Sequence, residues 1–63
     1  MKVWEALEQL RSEHDDSVII TDEECINVYN ATSRYFAHPV FDWLRDKDVA
    51  RINTNTRVIY YKV

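Results

Sequence analysis

Three helices, one short strand and a C-terminal β-hairpin, making a small α+β domain, are what this sequence predicts. Three observations carry that prediction. Apolar residues near the N-terminus recur at helical spacing, a capping signature and the single proline mark two further helix starts, and residues 49–63 alternate around a polar tip. At 63 residues the chain makes one domain, residues 1–63, with no room for a separate catalytic one. Apolar residues at 46% and charged residues at 30% place it among globular chains and not disordered tails.

The first helix spans residues 2–13. Val3, Ala6, Leu7 and Leu10 share one face with Trp4 beside them, while Lys2, Glu5, Gln9 and Ser12 point away and Glu8 pairs with Arg11. The polar cluster Glu13, His14, Asp15, Asp16 and Ser17 ends it, and Val18, Ile19 and Ile20 follow as a β-branched run suited to a strand. Thr21, Asp22, Glu23 and Glu24 spell a capping box, in which the threonine hydroxyl accepts from the Glu24 amide and the Glu24 carboxylate reaches back. A second helix starts there, burying Cys25, Ile26, Val28 and Tyr29 and ending at Asn30.

Pro39 holds His38 out of the helical region and opens a third helix over residues 39–47, with Val40, Phe41, Trp43 and Leu44 on its apolar side. If Ser33 caps an earlier turn carrying Arg34, Tyr35 and Phe36, that helix is longer and bends at the proline. The hairpin sets Ala50 and Ile52 against Val58 and Tyr60 through Asn53, Thr54, Asn55 and Thr56. Two asparagines there suit a turn that needs positive φ in a chain without glycine.

Helix, strand, helix, helix, hairpin is the element order of the winged helix-turn-helix domain, and nearly the whole chain resembles a minimal version of it. The most specific stretch begins at Pro39. Val40, Trp43 and Leu44 lead into Asp46, Lys47, Asp48, Val49, Ala50, Arg51 and Ile52, then the polar tip and Arg57, Val58, Ile59, Tyr60 and Tyr61. This is similar to the close of a winged helix's third helix, its second strand, the wing and the last strand, with Asp46, Lys47 and Asp48 where relatives usually carry a glycine. The resemblance implies a non-catalytic regulator of transcription that sets its third helix in the major groove of double-stranded DNA and its wing on the adjoining backbone.

Charge placement bears on that reading. Residues 1–24 carry two basic against eight acidic side chains, and residues 25–63 six basic against three acidic, within a net charge of −3. The expected nucleic-acid surface is Arg34, Tyr35, Arg45, Lys47, Arg51, Asn53, Asn55 and Arg57. Asp42, Asp46 and Asp48 oppose it by repelling phosphates, and a homodimer would double the basic surface. The alternative is a small acidic inhibitor or adaptor, of the kind phages and mobile elements encode, that docks on a basic host protein complex through Glu5, Glu8, Asp15, Asp16, Glu23 and Glu24. Acids at helix starts also stabilise helices through the dipole, which is a structural role for Asp22, Glu23 and Glu24.

The aromatic residues offer a third surface, since exposed rings stack the bases of a single strand. A core this small needs its largest side chains, so Trp4, Phe41, Trp43 and Tyr60 are expected inside, leaving Tyr35 and Tyr61 as the exposed candidates.

Enzyme readings are weak. Cys25 with His14 or His38 would be a nucleophile and base, but Cys25 falls on the expected buried helix face, and a buried thiol is inert. His14, Asp15 and Asp16 lack the alternating oxygen ligands and glycine of a calcium loop, so no metal and no cofactor is expected. His38 is read as a cap or turn residue before the helix. One cysteine makes no intrachain disulfide, the sequon at Asn30, Ala31 and Thr32 is idle without a secretory signal, and no apolar run approaches the ~18 residues of a membrane span. The opening residues resemble neither a signal nor a transit peptide, so the expected location is cytoplasmic.

Overall fold

The structure, a computed structural model, describes residues 1–11 and 17–63. Helix α1 (Val3–Leu10) is followed by strands β1 (Ser17–Asp22) and β2 (Val28–Thr32). Two 3-10 turns (Tyr35–Ala37 and Pro39–Phe41) lead into helix α2 (Asp42–Arg45), then strands β3 (Val49–Asn53) and β4 (Val58–Tyr61). The expected three-helix winged architecture is therefore replaced by two helices and a four-stranded mixed sheet in the order β2-β1-β4-β3. Each outer pair is antiparallel, and the two hairpins join through a parallel pairing in which Ile19 faces Val58 and Ile20 faces Ile59. Among the described residues no helix is long and apolar enough to cross a membrane.

Helix α1 forms because its apolar residues fall on one stripe: Val3, Ala6, Leu7 and Leu10 are all buried. At its start the Glu5 carboxylate accepts from the Lys2 amide at 2.9 Å. It stops three residues short of the expected end, because Leu10 is the last residue of the stripe and Arg11 already has extended geometry.

The second helix is the largest departure. Thr21 and Asp22 continue β1, and Val28 to Thr32 form β2 where a helical face was expected. A capping box contributes about 1 kcal/mol, whereas this hairpin pairs five residues of β1 with five of β2, and Val28, Tyr29 and Thr32 favour the strand. Asp22 organises the turn: its carboxylate accepts from the Ile26 amide at 2.8 Å and the Asn27 side chain at 3.4 Å, and its carbonyl accepts from the Cys25 amide at 3.1 Å. Cys25 takes φ 59°, the left-handed conformation glycine would supply, and is exposed and not buried. Asn30 sits inside the strand and ends nothing.

The third helix is broken at the proline. Thr32, not Ser33, supports the first 3-10 turn, its hydroxyl accepting from the Tyr35 amide at 3.2 Å. His38 is extended, as a residue before proline must be, and its Nδ1 accepts from the Val40 amide at 3.2 Å, the capping role expected of it. Only Asp42–Arg45 is α-helical, a single turn. The Arg45 guanidinium braces this segment, donating to the Phe36 and His38 carbonyls and to the Asp42 carboxylate.

The C-terminal hairpin turns on Asn53, whose side-chain oxygen accepts from the Asn55 and Thr56 amides at 3.1 and 3.2 Å. The positive φ falls on Arg57 and not on an asparagine. Alternation then sorts the sheet. Val18, Ile20, Ile59 and Tyr61 face α1, Phe36 and Leu44 in the core, flanked by Tyr29, Ala31, Val49 and Ile52. On the other face Val28, Thr21, Tyr60 and Arg51 stand in one row across the four strands, the Arg51 guanidinium 4.0 Å from the centre of the Tyr60 ring.

The aromatic expectations reverse at several positions. Trp4 and Trp43 are exposed, Tyr60 and Phe41 are half-buried, and Tyr61 is buried at 4% exposure. Two indoles outside the core and one phenol inside follow from registers that sequence alone does not set. Burial raises the Tyr61 phenol above its ordinary value of 10.0, with the neighbouring Tyr29 and Asp22 acting in the same direction. A phenol raised on folding contributes stability in full below its unfolded value and loses it as pH climbs through the folded one. Alkaline unfolding is therefore expected above about pH 10. Tyr61→Phe, followed by circular dichroism against pH, should move that transition upward; an unmoved transition would exclude Tyr61 as its cause.

Candidate functional site

The residues picked from sequence as a nucleic-acid surface fall into two groups. Arg34, Tyr35 and Arg45 belong to the helical layer, and Arg51, Asn53, Asn55 and Arg57 belong to the β3–β4 hairpin, with Lys47 between. On the hairpin, Arg51 lies over Tyr60, Asn53 is spent on its own turn, and Arg57 donates from Nε to the Ser17 carbonyl at 3.2 Å, tying the hairpin to β1. The acidic set is spread out: Glu5 caps α1, Glu8 stands on its exposed side, and Glu23 and Glu24 occupy the exposed β1–β2 turn. Asp15, Asp16 and His14 lie outside the described residues.

The helical group acquires partners that sequence reading did not assign to it. A cleft of about 170 Å³ opens between α1 and the segment after β2, lined by Trp4, Glu8 and Arg11 on one side and by Ser33, Arg34 and Arg45 on the other. A second, shallower hollow of about 330 Å³ adjoins it, lined by Thr32, Arg34, Tyr35 and His38. Arg34 lines both, and the groove they make on either side of it carries one exposed aromatic ring in each hollow: Trp4, 48% exposed, in the first and Tyr35, 57% exposed and stacked on His38, in the second.

The groove is basic on an acidic chain. Among the described residues three guanidinium groups line it with one carboxylate, Glu8, whose Oε1 is 3.9 Å from Arg11. Such an exposed pair contributes little and yields readily to a stronger anion. Arg45 donates to the Phe36 and His38 carbonyls and to Asp42, which makes it a wall that fixes the groove's shape; Arg11 and Arg34 are exposed side chains of the same groove.

Sequence reading does not bring Trp4 and Arg11 to this surface, because the tryptophan adjoins the apolar stripe and reads as core. Residues 4, 8 and 11 fall at the i, i+4, i+7 spacing of one helix side, and that second stripe was the available signal. Among the described residues no three of histidine, cysteine, aspartate and glutamate come together. Cys25 sits in the β1–β2 turn and His38 in the helical layer, so the pair is not gathered at this groove. No known protein family, curated protein or solved structure matches the chain.

Proposed function

We propose that this chain is a non-catalytic binding module that takes a single-stranded nucleic acid along the groove between Trp4 and Tyr35. The observation that carries the reading is Arg34, shared by two adjoining hollows and flanked by two exposed aromatic rings. Single strands are held where cations track the backbone and rings stack the bases, each stacked base contributing about 1–3 kcal/mol. A duplex offers its bases to no ring, and one turn of α2 is too short to read a major groove. The net charge of −3 keeps the attraction local to the groove.

The test is tryptophan fluorescence during titration with a short oligothymidylate, in a Trp43→Phe background so that Trp4 alone reports. Quenching with a dissociation constant between about 10 μM and 1 mM at low salt is expected. With two or three phosphates engaged, log K should fall against log salt with a slope of about −1.4 to −2. A duplex of the same length should bind about tenfold more weakly or worse. An unquenched Trp4 at about 1 mM strand, or equal affinity for duplex, would overturn the reading.

A further inference from the structure

The two edges of the sheet are treated differently. Edge β3 is shielded: its first residue donates to the Met1 carbonyl at 2.8 Å, Lys2 bridges Asp48, the register shifts between Val49 and Arg51, and Arg51 places a charge on the strand. These are the devices by which proteins block further strand pairing. Among the described residues edge β2 has none of them. From Cys25 to Ser33 the chain carries no charge, no proline and no glycine, and among the described residues β2 pairs with β1 alone.

The direction of β2's backbone groups follows from one hydrogen bond. The Ile19 amide donates to the Arg57 carbonyl at 2.9 Å, so the Ile19 backbone faces β4 and those of Val18 and Ile20 face β2. Their partners Ala31 and Tyr29 therefore spend their N–H and C=O groups on β1. Val28, Asn30 and Thr32 alternate with them and aim theirs outward, without a backbone partner among the described residues.

We propose that β2 is a homodimer interface, pairing antiparallel with β2 of a second copy about a twofold axis through Asn30. This register engages all three outward residues, Asn30 with its twin and each Val28 with the other copy's Thr32, in about six backbone hydrogen bonds at two per pair. Other registers waste at least one. Between those pairs Tyr29 falls opposite the second copy's Ala31, at positions where strands approach closest, so a large side chain meets a small one. An uncharged strand meets its own copy without like-charge repulsion. The apolar groups left at this edge, Val28 on one face and Trp43 edge-on to Tyr29 at 5.8 Å on the other, then lie at the seam. Eight strands result in one sheet, with the shielded β3 edges outermost. The interface does not depend on the groove's ligand.

Sedimentation of the full chain over a concentration series tests this. The mass should rise toward twice 7.6 kDa as concentration approaches about 1 mM. Amide exchange should slow at Val28, Asn30 and Thr32 with rising concentration while Tyr29 and Ala31 stay unchanged, a pattern specific to this register. Asn30→Pro removes the central outward donor without touching the β1 ladder, and Asn30→Lys sets two ammonium groups face to face. Each should weaken the dimer about tenfold or more with an unchanged circular dichroism spectrum. A chain that stays monomeric at about 1 mM overturns the proposal, including the case in which the edge takes another protein's strand. So does a dimer in which Asn30→Lys changes neither the mass nor the exchange of those three amides.

Discussion

Phe36→Ala removes most of this domain's stability, with urea unfolding shifted to the start of the titration. Phe36 is fully buried, and its ring meets Phe41 edge-on at 5.0 Å. It ties the helical layer to the sheet, and its carbonyl is one of the two that Arg45 holds. Truncating such a side chain costs about 3–5 kcal/mol, because the cavity left behind cannot close. At about 0.05–0.15 kcal/mol per residue a chain of this length has about 3–9 kcal/mol in total. With a urea slope near 1 kcal/mol per molar, the midpoint should fall by about 3 M or vanish. Trp43→Ala is the control: its indole is exposed and should cost about 1 kcal/mol or less beyond the single ring contact with Tyr29. Equal losses for the two would mean that the helical layer is held by its surface and not by Phe36.

Arg11→Glu combined with Arg34→Glu abolishes single-strand binding while the fold persists. Both side chains are exposed, and the pair Arg11 makes with Glu8 at 3.9 Å is too long and too wet to stabilise the fold appreciably. Reversal puts two carboxylates beside Glu8 where two guanidinium groups stood, so a phosphate backbone meets repulsion where it met attraction. A loss of about 100-fold or more is expected, with the salt slope collapsing toward zero. Arg51→Glu, on the far face over Tyr60, should leave affinity nearly unchanged. If Arg51→Glu abolishes binding and the groove pair does not, the strand lies on the hairpin and the groove assignment fails.

How far these sites could be read in advance depends on the range of the contacts that build them. Arg34, Tyr35 and Arg45 read from sequence as surface cations and an exposed ring. Their role changed when α1 supplied Trp4 and Arg11 across the cleft and Arg45 turned inward as a brace. The edge at β2 was hidden altogether, since residues 25–30 read as a helix behind a capping box.

Determinants within one turn of helix or one hairpin were legible in the sequence. The buried stripe of α1, the strand around Val18 to Ile20, the extended His38 before Pro39 and the alternation on either side of Asn53 all rest on neighbours a few residues apart. The choice between helix and strand after Thr21 was not local, because the capping box and the β-branched residues differ by an energy smaller than what a neighbouring strand contributes. That neighbour is settled by the parallel pairing of β1 with β4, beside which the Arg57 side chain donates to the Ser17 carbonyl across 40 residues of chain. No periodicity announces such a pairing, since it exists only once both strands have packed Val18, Ile20, Ile59 and Tyr61 against the same core. Local propensity therefore determined the pieces of this protein, and only burial of one shared core decided which edge was left open and which cations were gathered into a groove.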